Sequence, residues 1–479
     1  MLKRLTAILL VIILIVSCAG IGEAASYKRL RKGSHGAAVK TLQTELKNQG
    51  YYSGKIDGIY GKGTVNAVKA FQKKNGLKAD GIAGPLTQAK LYESKGKTVT
   101  SPETEAAPEA GTDTGNVQAD AAASAGIPEQ ALSFLQGIRK NSGASCGTVV
   151  LSKEGKVFLR WSFGGVDEDT CFRIASITKW VTAIGLMTLY DQGKLDLDKD
   201  ISSYLGFKVR NPAFPDTPVT TRMLLSHTSS LSPDASDYHP EWDRIGKKGY
   251  DPIFNESIEP GTQYAYADYN GALFGCLIEA ISKQSIQNYM SQYVFRPLGL
   301  TAGYSPNFLP AGTKCKDLLK KNGKVEISVQ KDRDRKYNNK ADPRENNGYT
   351  VGKLYINASS LTKLAQMMYN GGELDGVRIL ESATVRLMES DQKLLAESPY
   401  GLSTVRLSQF DRGIWYGHQG RYSGLSSNIY YQRETGITLA LIMDGYDYKL
   451  QDNIVTPAVS LLRNMQKLEE ICLGNASVN

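Results

Sequence analysis

One stretch decides how this chain can be interpreted, namely Phe172-Arg173-Ile174-Ala175-Ser176-Ile177-Thr178-Lys179. A largely apolar run follows it and ends at Gln192-Gly193, which predicts a buried helix with a glycine after its last turn. Residues three apart share a helix face, so the Lys179 amine is expected within reach of the Ser176 hydroxyl. If burial lowers the pKa of Lys179, the neutral amine can act as the base that a serine nucleophile needs. The spacing alone also fits an ordinary helix start with a solvated lysine.

Two further stretches supply candidate partners for Ser176. The first follows a turn at Pro260-Gly261 and precedes an apolar helix; it runs Tyr264-Ala265-Tyr266-Ala267-Asp268-Tyr269-Asn270. The second is on a predicted strand near the end of the chain and runs Trp415-Tyr416-Gly417-His418-Gln419-Gly420-Arg421. Its two glycines would let a substrate backbone lie along the edge of that strand.

The segment that contains these stretches spans residues 126–479 and begins with an amphipathic helix. Its predicted strands lie at both ends of the segment, with helices between them. The first two strands form a hairpin, Gly147–Ser152 and Lys156–Phe163, that turns at Glu154-Gly155. The later strands are Ile414–Tyr416, Leu425–Gln432 and Ile437–Met443. A final helix is predicted at Ile454–Met465. This order predicts an α+β domain in which the two ends of the segment form one antiparallel sheet, flanked by helices.

Three motifs of this segment, taken in chain order, resemble the serine β-lactamase and penicillin-binding-protein superfamily. They are Ser176-x-x-Lys179, Tyr266-Ala267-Asp268 and His418-Gln419-Gly420, with further matches at Met223–Ser229 and Met367–Gly372. The resemblance is to the branch of class C β-lactamases, D-alanyl-D-alanine carboxypeptidases and related esterases. It implies a β-lactamase-like sheet with flanking helices and a helical subdomain.

The resemblance also implies the chemistry. Ser176 would attack an acyl carbonyl to give an acyl-enzyme, while Lys179 and Tyr266 share the proton transfers. The positive charge of Lys179 would favour an ionised Tyr266. The backbone N–H groups of Ser176 and Arg421 would form an oxyanion hole, worth about 3 to 4 kcal/mol per donor. No metal or organic cofactor is expected, because serine, lysine and tyrosine suffice.

The remaining motif residues are candidates for substrate contact. His418 would orient the carboxylate of the substrate or the proton of the tyrosine, and Asp268, Gln419 and Gly420 would contact the substrate. Two residues depart from the family pattern. Asp268 stands where asparagine is common, so that an amide donor is replaced by an acceptor that can pair with Lys179, and Ser230 stands where glycine is usual.

These observations favour a D-alanyl-D-alanine carboxypeptidase or penicillin-binding-protein-like hydrolase acting on small D-alanyl peptides, esters or β-lactams. Asp268 weakens the expectation of β-lactamase activity. Two alternatives remain open. The same residues could serve an esterase or a weak class C-type β-lactamase, or the chain could be a catalytically silent wall-binding or β-lactam-sensing protein.

A smaller domain is predicted at residues 27–92, where two apolar repeats at helical spacing alternate with glycine-rich turns. The turn Asp57-Gly58-Ile59-Tyr60-Gly61 recurs as Asp80-Gly81-Ile82-Ala83-Gly84. With Gly50-Tyr51-Tyr52 and Phe71-Gln72, these turns resemble the peptidoglycan-binding domain of bacterial wall enzymes. The resemblance implies an all-α module, with Tyr51, Tyr52, Asp57 and Tyr60 as candidate glycan contacts. A structural spacer whose glycines only form turns is the alternative.

Charge is distributed unevenly along the chain. Residues 27–98 carry 15 Lys+Arg against 4 Asp+Glu, whereas residues 126–479 carry 40 against 38. Residues 99–125 carry 5 acidic residues and no Lys or Arg, and the stretch 93–125 has few large apolar residues, which predicts a flexible linker. The basic excess of the small domain indicates an anionic partner, and the export signal favours a wall polymer over nucleic acid.

The first residues predict export. Met1-Leu2-Lys3-Arg4 is positive, and the largely apolar run Leu5–Val16 is shorter than the about 20 residues that a membrane span needs. Signal cleavage after small residues at Gly22-Glu23-Ala24-Ala25 would remove residues 1–25 and give a secreted, wall-associated protein. The alternative is a lipobox at Ile15-Val16-Ser17-Cys18, which would anchor the chain by a lipid on Cys18 to the outer face of the cytoplasmic membrane.

Other reactive residues fit structural roles better. Gly143-Ala144-Ser145-Cys146-Gly147 matches a G-x-S-x-G motif, but it follows a helix and precedes a strand, the reverse of the α/β-hydrolase order, so a turn is expected. His227 is predicted to be a buried histidine behind the site, and His239 a loop residue. The histidines lack metal-ligand spacing, and the scattered cysteines suggest neither a disulfide framework nor a metal site.

Overall fold

The computed structural model describes residues 30–77, 79–92, 126–233, 253–342, 348–392, 400–446, 450–451 and 454–474. The predicted export signal with Cys18, the predicted linker at 93–125 and His239 lie outside these residues. The chain divides into two compact units, residues 1–110 and 111–479. In the part of the chain that is described, no helix is both long enough and apolar enough to cross a membrane.

The N-terminal unit is a small helical module, as predicted. Its helices are Ala37–Asn48 (α1), Lys62–Lys74 (α2) and Pro85–Tyr92 (α3). Apolar side chains from all three helices and the turns share one core, namely Leu30, Val39, Leu42, Leu46, Tyr60, Ala67, Val68, Phe71, Ala83 and Leu91. The periodic positions identified in the sequence therefore form the face on which the helices pack.

The repeated turn of the sequence is a repeated hydrogen-bonding unit in the structure. The Gln43 side chain donates to Asp57 Oδ1 at 2.8 Å and accepts from Gly58 N at 2.9 Å. Gln72 does the same one repeat later, donating to Asp80 Oδ1 at 2.8 Å and accepting from Gly81 N at 2.9 Å. Each buried glutamine thus satisfies the polar groups of one Asp-Gly turn.

The C-terminal unit contains the remaining helices and strands. Its helices are Glu129–Ser142 (α4), Ile177–Asp191 (α5), Ser202–Leu205 (α6), Thr221–Leu225 (α7), Asp268–Ser282 (α8), Ile286–Met290 (α9), Val329–Asp334 (α10), Tyr349–Gly352 (α11), Ala358–Tyr369 (α12), Ser382–Glu389 (α13), Thr456–Arg463 (α14) and Met465–Leu473 (α15). A π-helical turn follows α9 at Ser291–Phe295, and a 3₁₀ turn lies at Pro306–Phe308. Its strands are Cys146–Lys153 (β1), Lys156–Phe163 (β2), Phe172–Arg173 (β3), Ala302–Gly303 (β4), Leu318–Leu319 (β5), Val325–Ile327 (β6), Tyr355–Ile356 (β7), Glu373–Leu374 (β8), Val377–Arg378 (β9), Val405–Leu407 (β10), Trp415–Tyr422 (β11), Leu425–Gln432 (β12), Ile437–Asp444 (β13), Leu450–Gln451 (β14) and Ile454–Val455 (β15).

The main sheet has six strands in the order β10-β11-β12-β13-β1-β2. All neighbours are antiparallel, and β1 from the start of the unit pairs with β13 from its end, from Cys146 opposite Asp444 to Lys153 opposite Ile437. The prediction of one sheet built from both ends is confirmed. The predicted hairpin turn is also present, with positive φ angles at Glu154 and Gly155 that match a tight two-residue turn.

Helices cover both faces of this sheet. Alternate residues of β13 point to different cores, Ala440 and Ile442 to the one shared with α5 and α12, and Leu439 and Leu441 to the one shared with α4 and α14. Both faces of the sheet are therefore shielded from solvent, which explains why β12 and β13 are buried along their whole lengths.

Helix α5 runs through the larger core. Its residues from Ile177 to Leu189 are all buried, because the helix is apolar around its whole circumference. A Cβ atom at Gly185 would lie 2.1 Å from Met290 Sδ, so glycine lets α9 approach closely. This helix fixes Ser176, its N-cap residue, at the boundary between sheet and helices.

Candidate active site

Ser176 lies at the turn that joins β3 to α5. The preceding Ala175 has a φ of 49°, in the left-handed region that residues other than glycine rarely adopt. Such a conformation costs about 1 to 3 kcal/mol and persists only where the surroundings enforce it. Here Thr178 N donates to Ala175 O at 2.9 Å and Lys179 N donates to Ser176 O at 3.0 Å, so the first helical turn holds the strained residue.

Lys179 lies one turn beyond Ser176, as the spacing predicted, and its side chain is fully buried. Its ammonium nitrogen is 3.0 Å from Ser176 Oγ, 2.8 Å from the Val351 carbonyl oxygen and 2.7 Å from Asp268 Oδ1. These three acceptors match the three N–H bonds of an ammonium group. The arrangement fixes Lys179 against the nucleophile and leaves its charge compensated.

Of the two charge states considered for Lys179, the structure favours the positive one. Burial alone would lower the Lys179 pKa, but the acidic groups of Tyr266 and Asp268 outweigh it and raise the pKa above its usual value. Lys179 is therefore an ammonium ion near neutral pH and donates to Ser176. The resting site holds no neutral lysine base, so a proton must first leave Lys179 or Ser176 must lose its proton to another group.

Asp268 and Gly271 both come from the first turn of α8. The Asp268 side chain is 41% exposed, so that one carboxylate connects buried Lys179 to solvent. A Cβ atom at Gly271 would lie 2.7 Å from Lys179 Cγ, and only glycine leaves room for the lysine stem. The acceptor role suggested for Asp268 is thus realised as an ion pair with Lys179.

Tyr266 lies beside the lysine, with the Lys179 ammonium 5.5 Å from the centre of its ring. Behind it, the His227 ring stacks on Tyr266 at a centroid distance of 4.2 Å. His227 Nδ1 accepts from Ala267 N at 3.2 Å and contacts Asn270 Nδ2 at 2.9 Å, while Ala265 N donates to His227 O at 2.8 Å. Burial, followed by the charge of Lys179, lowers the His227 pKa well below its usual value. The prediction of a buried histidine behind the site is confirmed.

Ser230, the second departure from the family pattern, has a φ of 60°. That angle explains why glycine is usual at this position. The buried serine is held by a hydrogen bond from Asn211 Nδ2 to Ser230 Oγ at 3.0 Å.

The edge of β11 forms the wall opposite Lys179. Among the described residues β10 pairs with β11 only from Trp415 to Gly417, so the edge beyond is not covered by that strand. A Cβ atom at Gly420 would lie 2.2 Å from the Ile174 carbonyl oxygen and 3.1 Å from Ser176 N. Ser427 Oγ of the neighbouring β12 donates to the same Ile174 oxygen at 2.7 Å. Gly420 thus allows β11 to pass directly beside the nucleophile.

The structure places the other β11 candidates around that contact. Arg421, predicted to provide an oxyanion-hole N–H, follows Gly420 and has an exposed side chain. Gln419 is half-buried and pairs with Asn428 of β12. The backbone of this strand, rather than its side chains, comes closest to Ser176.

His418 is buried, and its role in orienting a substrate carboxylate or the tyrosine proton stays a prediction. Burial, then the charge of Lys179, lowers its pKa to about 3, so the imidazole is neutral at neutral pH. Its Nδ1 lies 2.7 Å from the Gln419 carbonyl oxygen, which makes Nδ1 the protonated nitrogen, and Nε2 lies 3.5 Å from the Tyr400 hydroxyl. His418 therefore provides no positive charge for a substrate carboxylate, and its tyrosine partner is Tyr400 rather than Tyr266.

Several contributors were not predicted. Tyr400 lies 6.1 Å from Tyr266 and 5.8 Å from His418, measured between ring centres, and so joins two motifs. The Val351 carbonyl accepts a hydrogen bond from Lys179, and Gly271, which lacks a side chain, leaves room for the lysine stem. A lone tyrosine, a carbonyl and a glycine provide no local pattern, so a sequence search could not have found them.

The rival serine and the cysteines have structural settings. Ser145 lies between α4 and β1, where Gly143 has a φ of 68° and forms the expected turn, and the Ser145 N–H donates to the Asp444 carbonyl at 2.9 Å. The described cysteines, from Cys146 to Cys472, are free thiols. Within the described ranges no group of three or more His, Cys, Asp and Glu side chains could hold a metal ion.

The candidate glycan contacts of the small module divide into two groups. Tyr60 is wholly buried and donates to the Gly81 carbonyl at 3.0 Å, so its proposed surface role is wrong. Tyr51 and Tyr52 are half-buried, Tyr51 packing edge-on against Phe71. Asp57 is exposed, although its Oδ1 accepts from Gln43 and Ile59 N. The turn residues thus serve the fold first, and three candidates remain accessible.

A six-stranded antiparallel sheet between helical layers, with Ser-x-x-Lys at the start of the buried helix, defines the large unit as a serine β-lactamase and penicillin-binding-protein fold. The "Beta-lactamase" family model matches residues 133–454, more than half of the chain, and the protein belongs to this family. A second model, "Putative peptidoglycan binding domain", matches residues 35–91.

Individual proteins resemble this chain at low sequence identity. Penicillin-binding protein 4* of Bacillus subtilis is 27% identical over 170 residues, which cover 32% of this chain and 36% of that protein. The chain therefore spans about a third of the length of the curated relatives it matches. The octameric penicillin-binding protein homologue of Pyrococcus abyssi superposes with a TM-score of 0.53 at 20% identity, over 71% of this chain and 76% of that one. D-amino acid amidase of Ochrobactrum anthropi gives 0.52 at 20% identity, over 71% and 99%.

Proposed function

We propose that this protein is an exported serine hydrolase that binds the cell wall and forms an acyl-enzyme on Ser176 with D-alanyl peptides or esters of the cell envelope. The observation that carries the proposal is the 3.0 Å contact of Ser176 Oγ with a buried Lys179 beside the uncovered edge of β11. The family provides the class of reaction, and the matched peptidoglycan-binding domain supports the wall as partner.

The charge of Lys179 suggests how the proton moves. In its phenolate form, Tyr266, whose ring lies beside the Lys179 ammonium, takes the Ser176 proton as Oγ bonds to the acyl carbon. The carbonyl oxygen becomes negative in the oxyanion hole proposed at Ser176 N and Arg421 N. As the scissile bond breaks, Tyr266 returns the proton to the leaving group. Water then attacks the acyl-enzyme by the same steps and releases the acid.

A second candidate, an esterase with the same site, is favoured by the neutral His418. Release of a terminal D-alanine or opening of a β-lactam involves a substrate with a free carboxylate on the leaving side, and His418 offers no cation there. Esters with an uncharged leaving group do not need one.

Intact-protein mass spectrometry of wild-type and Ser176→Ala protein tests the proposal. Each is incubated with a fluorescent penicillin, a D-alanyl-D-alanine peptide and a small activated ester. We expect a mass adduct or turnover that requires Ser176, and retention of peptidoglycan pull-down in Ser176→Ala. Turnover of the ester alone supports the esterase. No adduct and no turnover with all three contradicts an active hydrolase and supports the silent wall-binding alternative; loss of pull-down in the variant contradicts the separate wall-binding role.

A further inference from the structure

Three basic side chains surround one buried carboxylate next to the Ser176 site. Arg173 Nη1 lies 3.4 Å from Asp332 Oδ2, and Arg335 Nε lies 3.4 Å from Asp332 Oδ1. Tyr355 also donates to Asp332 Oδ2 at 2.8 Å. Both oxygens of the single carboxylate are thus already engaged. We call Arg173, Arg335 and Lys353 the basic cluster.

Lys353 is the third cation and has no such partner. Among the described residues no ion pair joins it to a carboxylate, and its ammonium lies 4.7 Å above the Tyr349 ring. Burial, then the charges of Arg173 and Arg335, lowers the Lys353 pKa to about 8. The cluster therefore carries more positive charge than Asp332 compensates, and an added anion would be stabilised there.

The backbone connects this cluster directly to the nucleophile. The Val351 carbonyl accepts from Lys179, and the next carbonyl, that of Gly352, accepts from Arg173 Nε at 3.0 Å. A Cβ atom at Gly352 would lie 3.4 Å from Ala175 Cα, so this segment packs on the residue before Ser176. The cluster thus borders the site on the side of β3 and α11.

The direction of proton transfer indicates which half of a substrate would meet the cluster. The leaving group must reach Tyr266, which lies with Tyr400 and His418 near the middle of β11. The acyl part then extends the other way along the strand, past Gly420 to Tyr422. The Arg173 guanidinium lies 5.8 Å from the Tyr422 ring, at that end.

We propose that Arg173, Arg335 and Lys353 form a subsite that binds a carboxylate on the acyl part of the substrate. The inference rests on the proposed acyl-enzyme function and adds a substrate class to it, namely acyl donors with an acidic group. The Arg335 side chain is 53% exposed, so the subsite is open to a ligand from solvent. Asp332 holds the two arginines in place, while Lys353 is the donor left for the incoming anion.

Two esters of equal chain length test this subsite in the full-length protein. Mono-4-nitrophenyl adipate carries a terminal carboxylate, and 4-nitrophenyl hexanoate does not. We expect kcat/KM to favour the adipate ester, and Lys353→Met and Arg335→Gln each to reduce that preference about tenfold, as for loss of one charged hydrogen bond. Hydrolysis of the hexanoate should be unchanged. Added NaCl should weaken the preference in the wild type.

The matched control is Lys194→Gln. Lys194 is exposed and lies just beyond the C-terminal end of α5, a helix about 22 Å long whose opposite end carries Ser176 as its N-cap. It should leave the preference unchanged. Equal kcat/KM for both esters in the wild type, or an adipate preference that survives in both cluster variants, overturns the subsite.

A binding measurement separates failure of the subsite from failure of the hydrolase. Calorimetric titration with adipate itself needs no turnover. Binding to the wild type that is lost in Lys353→Met supports the subsite even if neither ester is hydrolysed, in which case only the proposed function fails. If neither ester is hydrolysed, absence of adipate binding to the wild type overturns the subsite.

Discussion

Lys179 contacts the Val351 carbonyl and Lys353 lies two residues beyond Val351, yet the two lysines have opposite electrostatic surroundings. Tyr266 and Asp268 outweigh burial and raise the pKa of Lys179, whereas burial, then the charges of Arg173 and Arg335, lowers the pKa of Lys353 to about 8. Burial acts in the same direction on both. A buried lysine in this site thus stays a fixed cation only where acidic neighbours outweigh its burial, as Tyr266 and Asp268 do for Lys179.

This difference in surroundings suits the two lysines to different tasks. Every N–H of the Lys179 ammonium has an acceptor, so this lysine is committed to the nucleophile and to Asp268. The Lys353 ammonium lies over the Tyr349 ring, and among the described residues no ion pair joins it to a carboxylate. One lysine is thus suited to proton transfer and the other to recognition of an anion.

The largest expected effect comes from exchanging either lysine for methionine. Lys179→Met should lower kcat/KM for a neutral activated ester by about 10⁴-fold, because members of a catalytic unit act together. Lys353→Met should change the same parameter less than twofold. Steady-state kinetics with 4-nitrophenyl hexanoate measures both, and circular dichroism checks folding. Similar losses in the two variants would refute the division of tasks.

Gly420→Ala tests the close approach of β11 to Ser176 and should lower kcat about 10²-fold, since a displacement of about 1 Å near the reacting atoms has effects of this size. The added methyl group would meet the Ile174 carbonyl oxygen at 2.2 Å. Gly137→Ala is the matched control, because that helical position has open space around it and alanine favours helix. Full activity of Gly420→Ala would contradict the approach of strand and nucleophile.

Asp268→Asn tests the source of the Lys179 charge. Removal of the carboxylate should lower the Lys179 pKa, so the alkaline transition of kcat/KM should move to lower pH. If protonated Lys179 is the working form, activity falls through this transition; if the neutral amine is the base, activity rises through it. The pH profile of Asp216→Asn, an exposed carboxylate, should match the wild type. If the transition does not move in Asp268→Asn, a group other than Asp268 raises the Lys179 pKa.

The smallest effect is the pH dependence of the adipate preference. Lys353 is charged below its pKa of about 8, so the preference should be present at pH 7 and decline as the pH rises through 8. Arginines 173 and 335 stay charged and should keep part of it. Ratios of kcat/KM for the two esters between pH 6 and 10 measure this decline. A ratio that stays constant over that range would exclude Lys353 as the titrating donor.

Local sequence patterns predicted much of the fold. The hairpin at Glu154-Gly155, the strand Leu425–Gln432 and the helix after Ser176 were found where expected, since period and turn residues act over a few positions. The last helix was predicted as one segment, Ile454–Met465, whereas the structure has α14 and α15 with a break at Asn464. Its apolar positions continue through the break, so the pattern alone did not mark it.

The site was predictable where its residues form motifs and unpredictable where they do not. Ser176 and Lys179 are neighbours because one helical turn separates them, and the structure brings Tyr266 and β11 to them as the resemblance implied. Tyr60 was misjudged because an aromatic residue in a turn can face either solvent or core. Its burial depends on α1 and α2 together.

The sequence by itself determined the two folded domains, the adjacency of Ser176 and Lys179, and the antiparallel sheet built from both ends of the large domain. Periodicity, turns and motif spacing encode these features within short stretches. Only the tertiary structure decided the charge of Lys179, the neutrality of His418 and the basic cluster around Asp332. The pKa of a buried group depends on charges within a few ångströms, and here those charges come from residues far apart in the chain, as with Lys179 and His418 or Arg173 and Lys353.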